Sequence, residues 1–578
     1  MFLPALKSVT KKTESVVRWL GYNHNDAPAE GSFYDCQNIS TELYPLMTVR
    51  SGRKAVGIMP GDATCVRDGV LYWAGGGWLC RGINRDGGSE QVEQLAHLTG
   101  AASVKRQVIA MGAWVIVFPD GVRYNTQDGT VDSLTVDNQA FNVQLALCKY
   151  DKTAYTDYVV SGTAPSDTDK LWLDTDETPH VLKMYSTSAK DWVSVGTTYV
   201  LMTATGLGKG VAVYDTVNVE MQGQSVPEDL TGDMIVYAAD DNSIMVAGVL
   251  DAAVTMGHVR VKRELPELDY ITECNNRLWG CSSKTNELLA CKMGDPTNWA
   301  SYMGLNTDSY RVTVGAPGQF TGAVTFLGYV LFFKENCLLK LFGTKPSNYQ
   351  ISQTNCRGVQ RGSEKSLCIV NETLYYKSPV DVVSYDGGLP SSISEALGNV
   401  AYKNAAAGCV GGRYYISMQT VSGKNRVFCY DVEHGLWSRE DDLHMRAIYE
   451  LNGTGYMVSD ENGVYQMMPP GEGDGGVGLG MNWWAETGML GIGELNAKYL
   501  NRFQLRVWLP EGSTLTVKVR YDDGAWIPMQ TVQGSKNASV LLPVVLQRCD
   551  HAALRLEGSG VCKLFNLNKV MQVGGAVR

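Results

Sequence analysis

The chain alternates between short apolar runs with strand character and turns rich in glycine, proline, asparagine and aspartate. Residues 269–310 hold the clearest example, in which apolar runs at 276–281 and 287–292 flank a polar turn. A turn-rich connection at 294–298 follows, and Trp299 then offers a large apolar side chain. Two strand-like runs around a polar turn predict a β-hairpin, and the turn residues favour the connection because they supply or fix its dihedral angles.

The same unit recurs along the chain at a nearly constant interval. Apart from one large gap, the starts lie about 40 to 50 residues apart, which is the period of four-stranded propeller blades. A small twisted sheet cannot bury both faces alone, whereas a ring of such sheets covers all but the outermost ones. We therefore predict an all-β protein built on a β-propeller of about seven blades, with the visible hairpin as the inner strand pair of each blade. The hairpins span residues 69–83, 112–124, 276–292, 327–342, 371–385, 411–430 and 452–467.

The hairpin spacing and changes in composition divide the chain into domains. The gap between the second and third hairpins is too long for a blade loop and has strand signals of its own, which predicts one or two inserted β-domains. Near the start, residues 9–20 favour a helix, and after a stretch rich in glycine and proline the alternating pattern predicts a β-sandwich. The predicted divisions are an N-terminal arm (1–50), the first propeller blades (51–143), the inserted small β-domain (144–264), the remaining blades (265–470), a Gly-rich linker (471–482) and a C-terminal β-sandwich (483–578).

Charge, cysteine content and apolar run length limit the partners and the cellular compartment that we expect for the protein. The net charge is −10, which argues against a surface that grips nucleic acid, because neutralising phosphates needs a concentrated basic face. The 14 cysteines include no C-x-x-C pair, which predicts buried free thiols in a reducing cytoplasm. No apolar run approaches the roughly 20 residues of a membrane helix. We therefore expect a soluble protein made in a cytoplasm, with no membrane span.

Motifs with a known chemistry are sparse. The 7 histidines are spread too widely for metal-ligand spacing. A G-x-G-x-x-G match at residues 473–478 has no strand before it and no helix after it, so it favours a loop over a dinucleotide site. The acidic run Glu440, Asp441 and Asp442 is interpreted as a solvated blade edge rather than the paired carboxylates of a glycosidase. The sequence predicts no catalytic residue, no metal and no cofactor, and a protein that is not an enzyme.

The residues that stand out in the repeat have a structural interpretation. Asparagine and aspartate bond back to their own backbone in turns, and tryptophan buries a large apolar face. We predict that such residues anchor the blades. The predicted anchors are Asn275, Arg277, Trp279, Asp295, Asn298, Trp299 and Trp437.

Several blade segments resemble a family of tailed-bacteriophage virion proteins, the packaged-DNA stabilisation or tail hub and nozzle proteins of short-tailed phages. The resemblance covers residues 265–470 best and also 484–558, and is weak over the arm and the insert. The similar segments are NNRLWG (275–280), GDPTNW (294–299), GAPGQFTG (315–322), FFKENCLLKLFG (332–343), GVQRGSEKSL (358–367), SYDGGLPSSIS (384–394) and LWSRED (436–441).

The resemblance implies a role but no active site. It implies a structural protein of the virion tail, assembled in the cytoplasm of the host bacterium, in which several copies form a homo-oligomeric ring below the portal; six is the expected number. Implied partners are portal or adaptor proteins and other tail proteins. Double-stranded DNA would pass through the lumen without sequence-specific binding, because a neutral or acidic wall repels it.

A second hypothesis comes from a different class of protein. Propellers also act on sugars, with paired carboxylates at the central channel. In this alternative the chain is a carbohydrate-binding or carbohydrate-cleaving β-propeller, and the inserted module with Trp172 and Trp192 recognises the sugar.

Overall fold

The computed structural model describes residues 10–573 apart from 60, 62, 84–90, 102–103, 224–225, 462, 468–480 and 535. The described chain is built of β-strands, and its helices are single 3-10 turns at Glu228–Leu230, Pro346–Asn348, Glu364–Ser366 and Glu395–Leu397. The sheet order confirms the predicted fold class, which is an all-β propeller with an inserted β-domain and a C-terminal β-sandwich. Over the described ranges, no helix is long and apolar enough to cross a membrane.

The first described segment is a series of strands. The helix predicted over residues 9–20 is wrong, because Thr10 to Val16 pair antiparallel with the last strand of the chain. Threonine and valine are stiff at χ1 and fit a paired strand better than a helix, so long-range pairing decides the conformation here. The segment contains β1 (Thr10–Val16), β2 (Phe33–Gln37), β3 (Ile39–Ser40), β4 (Met47–Val49) and β5 (Arg53–Ile58).

Two four-stranded antiparallel blades follow. The first blade contains β6 (Ala63–Arg67), β7 (Val70–Gly75), β8 (Trp78–Ile83) and β9 (Gln91–His97). The second contains β10 (Gln107–Met111), β11 (Trp114–Phe118), β12 (Val122–Asn125) and β13 (Val131–Ser133).

The insert between the second and third blades is a closed six-stranded barrel that carries a separate four-stranded sheet. The barrel begins at Val136, inside the range predicted for the first blades, and ends at Arg263. Its strands are β14 (Val136–Cys148), β19 (Tyr199–Thr203), β20 (Thr216–Gln222), β21 (Gly232–Asp240), β22 (Ser243–Ala247) and β23 (Val254–Arg263), and the small sheet is β15 (Tyr158–Ser161), β16 (Leu171–Asp174), β17 (Val181–Ser186) and β18 (Asp191–Ser194).

The remaining blades run without further insertion. Blade three is β24 (Tyr270–Glu273), β25 (Leu278–Ser282), β26 (Glu287–Ala290) and β27 (Tyr310–Thr313), and blade four is β28 (Phe320–Phe326), β29 (Tyr329–Lys334), β30 (Cys337–Phe342) and β31 (Gln350–Asn355). Blade five is β32 (Cys368–Val370), β33 (Thr373–Lys377), β34 (Val382–Tyr385) and β35 (Ser391–Ser392), and blade six is β36 (Tyr402–Val410), β37 (Arg413–Thr420), β38 (Asn425–Asp431) and β39 (Leu436–Arg439). Blade seven has β40 (Met445–Leu451), β41 (Thr454–Ser459) and β42 (Gly463–Met467).

A strand from the start of the chain closes the ring. β5 pairs antiparallel with β42 and is the outer strand of the seventh blade. Residues 53–58, predicted to belong with the first blades, are therefore part of the last one. This pairing joins the two ends of the ring of blades, because the seventh blade takes its outer strand from the start of the chain.

The hairpins visible in the sequence are the middle strands of each blade, so their predicted place as the inner pair is wrong. The central cavity is lined by the first strands, such as β24 and β28, whereas the hairpins pair second strands with third strands. A second strand has a partner on both edges and a blade on both faces, which makes it a nearly continuous apolar run, as in β29. First strands face the cavity and give a weaker signal.

The C-terminal β-sandwich recruits the N-terminal strands. Its own strands are β43 (Asn482–Thr487), β44 (Lys498–Leu509), β45 (Thr514–Tyr521), β46 (Ile527–Gln533), β47 (Lys536–Leu542), β48 (Arg548–Cys549), β49 (Ala552–Ser559) and β50 (Lys563–Val573). One sheet has the order β3-β4-β50-β44-β47, with β1 on β50 and β48 on β44, and the other is β2-β43-β49-β45-β46. Most of the predicted linker and the G-x-G-x-x-G match at 473–478 lie outside the described residues.

Candidate functional site

The turn between β24 and β25 places the first predicted anchor. Asn275 and Asn276 have φ of 54° and 56°, and Cys274 and Arg277 exchange two backbone hydrogen bonds across them, at 2.9 and 3.2 Å. Two left-handed residues form the two-residue hairpin turn that matches strand twist, and asparagine tolerates this conformation. Asn275 thus fixes how the third blade turns back from the cavity.

Arg277 is fully buried and holds the long connection between β26 and β27. Its guanidinium donates to the carbonyl oxygens of Cys291 at 2.9 Å, Asn306 at 2.8 Å and Asp308. Five donors in a rigid fork suit this task, because one side chain can saturate several carbonyls of an irregular loop.

Asp295 and Asn298 order the same connection and attach it to the insert. The Asp295 carboxylate accepts from the backbone N–H and the hydroxyl of Thr297, at 3.0 and 2.6 Å. Asn298 Nδ2 donates to Asp215 of the barrel at 3.2 Å. Asp215 is paired with Arg263, and burial raises the pKa of this carboxyl. The connection of blade three therefore docks the barrel through buried polar contacts.

The tryptophans lie between blades and at the sandwich. Trp299 packs edge to face on Phe118 of blade two, with ring centres 6.1 Å apart. Trp279 packs on Tyr349 of blade four, at 5.0 Å. Trp437 donates to the Ile393 carbonyl at 2.7 Å and lies in the core shared by blades five and six and the sandwich. Six of the seven predicted anchors thus lie in blade three, and their energetic role stays a prediction.

The acidic run at 440–442 is not a solvated edge for two of its three residues, which corrects the interpretation from sequence. Glu440 and Asp441 are buried. Both pair with Arg53 of β5, which is 2.6 Å from Asp441, and Asp441 also pairs with Arg50 at 3.2 Å. β5 and the residues just before it cross this corner, and Arg50 and Arg53 cover the acids. Only Asp442 of the run is exposed.

Lys377, the last residue of β33, is a buried cation. It is 2% exposed, and its Nζ donates to the Ser378 carbonyl. Burial lowers the pKa of Lys377 to about 8, against a smaller opposing effect of Asp381. Because this pKa is below that of an unfolded lysine, the charged form opposes folding below about pH 8, and the penalty fades as the pH rises from about 8 to about 10.5.

Lys377→Met is therefore expected to raise the free energy of unfolding near neutral pH by roughly 2 kcal/mol. The difference from wild type should shrink between about pH 8 and about pH 10, as measured by denaturant titrations at several pH values. Lys284→Met, at an exposed lysine, serves as the control with no such trend. A gap for Lys377→Met that stays constant with pH would contradict the argument.

A cavity of about 340 Å³ lies at the centre of the ring. First strands of the blades, or the residues just before them, supply its walls from all seven blades. Methyl side chains leave the space open, at Ala63, Ala323, Ala407 and Ala447. Near the wall, a Cβ on Gly408 would lie 2.2 Å from the Ile448 carbonyl oxygen, so β36 and β40 approach closely there.

The cavity is lined by charged side chains that sequence reasoning missed. They are Lys105, Arg106, Glu364, Lys365 and Arg446. All but Arg446 precede the first strand of their blade, and Arg446 is in β40. The sequence feature that could have indicated this charged lining is a pair of charged residues directly before a weakly apolar strand, as in the SEKSL segment. Such pairs are also common in solvated loops, so the feature is not specific.

The charged cavity residues lie at the start of the first strands. The turns between first and second strands lie at the other end of those strands, on a face of the propeller that we call the lower face. In six of seven blades both residues of this turn have positive φ, which favours asparagine, aspartate and glycine. At the first of the two turn positions, Leu327 of blade four is the exception, with φ of 48° and 58% exposure, and at the second position Glu372 of blade five has φ of 61°. The other five blades of this type begin the turn with Asp68, Asn275, Asn371, Gly411 and Asn452.

More exposed apolar side chains lie on the same face as Leu327. Met293 and Phe342 line one groove with the residue after Leu327. Leu305 and Leu389 lie on connections between third and fourth strands, which leave the blades on the same side. We call Met293, Leu305, Leu327, Phe342 and Leu389 the lower patch.

The inserted tryptophans form a small aromatic cluster. Trp172 is buried and donates to the Ser161 carbonyl at 2.8 Å. Trp192 is half-buried and lies edge to face against both Trp172 and Tyr185, at 5.6 Å in each case. These ring contacts give the aromatic side chains a packing role within the small sheet.

The cysteines are free thiols, ten of them buried and four half-buried. Within the described part of the chain, no three side chains of histidine, cysteine, aspartate or glutamate come together as a metal site.

The sheets and their closure define a seven-bladed β-propeller protein with a barrel insert and a β-sandwich. No protein-family model and no curated protein matches the chain. Among solved structures, the designed Ika8 protein is similar at 9% identity over 72% of this chain and 100% of that chain, with a TM-score of 0.34. BamB from Moraxella catarrhalis is similar at 9% identity over 76% and 99%, with a TM-score of 0.29. An exo-beta-1,3-galactanase from Phanerochaete chrysosporium is similar at 10% identity over 52% and 94%, with a TM-score of 0.20.

Proposed function

We propose that the chain is a structural subunit of a bacteriophage tail. Several copies, with six as the expected number, form a hub or nozzle ring below the portal that retains the packaged DNA and later conducts it. Portal or adaptor proteins and other tail proteins are the proposed neighbours. The DNA is proposed to pass through the ring without sequence-specific contacts. The motif resemblance of residues 265–470 supports the proposed role as a tail protein, and the lower patch supports the proposed assembly of several copies into a ring.

The observation that carries the assembly proposal is the conformation of Leu327. A left-handed backbone costs a branched residue about 1 to 2 kcal/mol, and a side chain that is 58% exposed recovers little of this by packing within the chain. Asparagine occupies the equivalent position in three other blades without this cost. A leucine that is both strained and exposed, on the same face as four other exposed apolar residues, is explained by contact with a neighbouring subunit.

The connections between domains fit a mechanical role. β5 closes the propeller, Arg53 joins that strand to buried acids, and Asn298 joins the third blade to the barrel. Contacts of this kind resist relative movement because breaking one leaves a buried charge or amide without a partner. Head-to-tail contacts between such rigid subunits form a closed ring when the rotation between copies closes.

A sugar-cleaving propeller has less support. Of the described residues that line the central cavity, Glu364 is the only carboxylate, whereas glycoside hydrolysis ordinarily uses two. Glu364 is also already paired with Lys105. Trp172 is buried and packs edge to face with Trp192, which leaves little of the Trp172 ring for a sugar.

Leu327→Asn tests the assembly. We expect this variant to be more stable than wild type by about 1 kcal/mol, because the turn strain is relieved. We also expect self-association to weaken by at least about tenfold. Analytical ultracentrifugation over a concentration series and electron microscopy of the particles measure the second effect, and denaturant titration measures the first.

Leu495→Asn is the matched control, since Leu495 is an exposed leucine in the loop before β44 of the sandwich and is not part of the lower patch. It should leave both stability and association unchanged. Rings formed by Leu327→Asn as readily as by wild type would refute the lower patch as an interface. Rings that fail to bind portal or tail proteins, but bind oligosaccharides, would refute the tail role itself.

A further inference from the structure

The central cavity concentrates positive charge in an acidic protein. The chain has 60 acidic and 50 basic residues, yet four of the five charged side chains lining the cavity are basic. A concave site with charge of one sign focuses the field on a ligand of the opposite sign. Its volume of about 340 Å³ is in the range of sites for small molecules.

We propose that this cavity binds a small phosphorylated compound, with the phosphate against Arg446 and a hydroxyl group of the ligand on Glu364. The proposal is independent of ring assembly, because the cavity lies within one subunit.

Arg446 is the anion-binding group. One of its nitrogens, Nη2, donates to the Met59 carbonyl at 2.6 Å. Its Nε is buried and has no hydrogen-bond acceptor among the described residues, and no carboxylate within that set forms an ion pair with it. The guanidinium therefore keeps donors for a ligand, and its planar fork matches two oxygens of a phosphate.

Glu364 supplies the second contact. Its Oε1 pairs with Lys105, whose Nζ lies 4.7 Å from the centre of the Tyr270 ring. Its Oε2 is buried and finds no donor in the described part of the chain. A buried carboxylate oxygen without a donor is costly, and a ligand hydroxyl would satisfy it. Burial and, secondly, the charge of Glu364 raise the pKa of Tyr270, so its phenol stays a donor.

Arg106 has a different role in the cavity. It is held by Asp120 through two hydrogen bonds, at 2.8 and 3.1 Å, and by the Gly100 carbonyl at 2.7 Å. The Arg106–Asp120 pair is nearly fully buried. Arg106 therefore forms part of the cavity wall, and its donors are already bonded to the protein instead of to a ligand.

Calorimetry with three probes tests the site: glycerol 3-phosphate, inorganic phosphate and glycerol, each at low ionic strength. The phosphate ester should bind most tightly, inorganic phosphate more weakly, and glycerol not measurably. Arg446→Gln should weaken both phosphates by at least about tenfold. Glu364→Gln should bind inorganic phosphate more tightly, because a like charge is removed, and should lose the preference for the ester.

Arg311→Gln, at an exposed arginine on β27, is the control and should bind as wild type does. If neither phosphate binds at about 10 mM, or if folded Arg446→Gln binds as tightly as wild type, the proposal is wrong. If Arg446→Gln does not fold, Glu364→Gln decides, because unchanged affinity for inorganic phosphate and an unchanged preference would also overturn it.

Discussion

Replacing Trp299 by alanine is expected to lower the free energy of unfolding by about 3 to 5 kcal/mol. The side chain is 6% exposed and lies in an apolar cluster with Phe118 and Leu134 on one side and Ile271 and Leu278 on the other. Truncation would remove these contacts and leave a cavity where the second and third blades meet. Its Nε1 also donates to the Pro296 carbonyl at 2.9 Å, so the turn would lose its fixed end. Denaturant unfolding followed by circular dichroism measures the change.

Trp526→Ala is the control for this prediction. Trp526 is half-buried on the sandwich, where Arg520 lies over its ring at 4.6 Å, and its removal should cost no more than about 1 kcal/mol. If Trp299→Ala and wild type unfold at the same denaturant concentration, Trp299 does not anchor the blade.

Arg53→Met is expected to destabilise the chain by about 3 to 5 kcal/mol, because it leaves Glu440 and Asp441 buried without their main partner. The Arg53 side chain is 5% exposed, and it bridges both acids from the strand that closes the ring. The unfolding transition should shift in denaturant, and proteolysis should release the N-terminal strands earlier than in wild type.

Two further variants test whether the loss of stability in Arg53→Met comes from the uncompensated buried charges or from the loss of packing. Arg357→Met removes an ion pair with Asp381 in which the arginine is 43% exposed, and should change stability by less than about 1 kcal/mol. Adding Glu440→Gln and Asp441→Asn to Arg53→Met should recover part of the loss, since the uncompensated charges are gone. No recovery would mean that the packing of Arg53, and not its charge, supports the closure.

Local pattern was enough to predict the propeller. Second and third strands such as β29 and β30 are covered on both faces, so their apolar runs and turns stand out and repeat with the blade period. The first strands face a cavity and, apart from β39, the fourth strands are outer strands with many exposed positions, so their apolar pattern is weaker. The sequence therefore marked the right number of blades but assigned the hairpin to the wrong strands.

The errors came from contacts between distant parts of the chain. Thr10 to Val16 resemble a helix when taken alone, and only pairing with β50 makes them a strand. Glu440 and Asp441 resemble solvated residues until Arg50 and Arg53 cover them. The cavity was missed for the same reason, since its charged residues come from separate blades and share no motif.

The closure of the seventh blade by β5 has a consequence for synthesis. The ribosome releases residues 53–58 early and their partners at 463–467 late. β5 therefore stays without its partner strand through most of translation. Exposed strand edges invite pairing with other chains, and contacts of such long sequence separation form slowly. The propeller therefore closes late, and pairing of exposed strand edges between neighbouring nascent chains competes with closure.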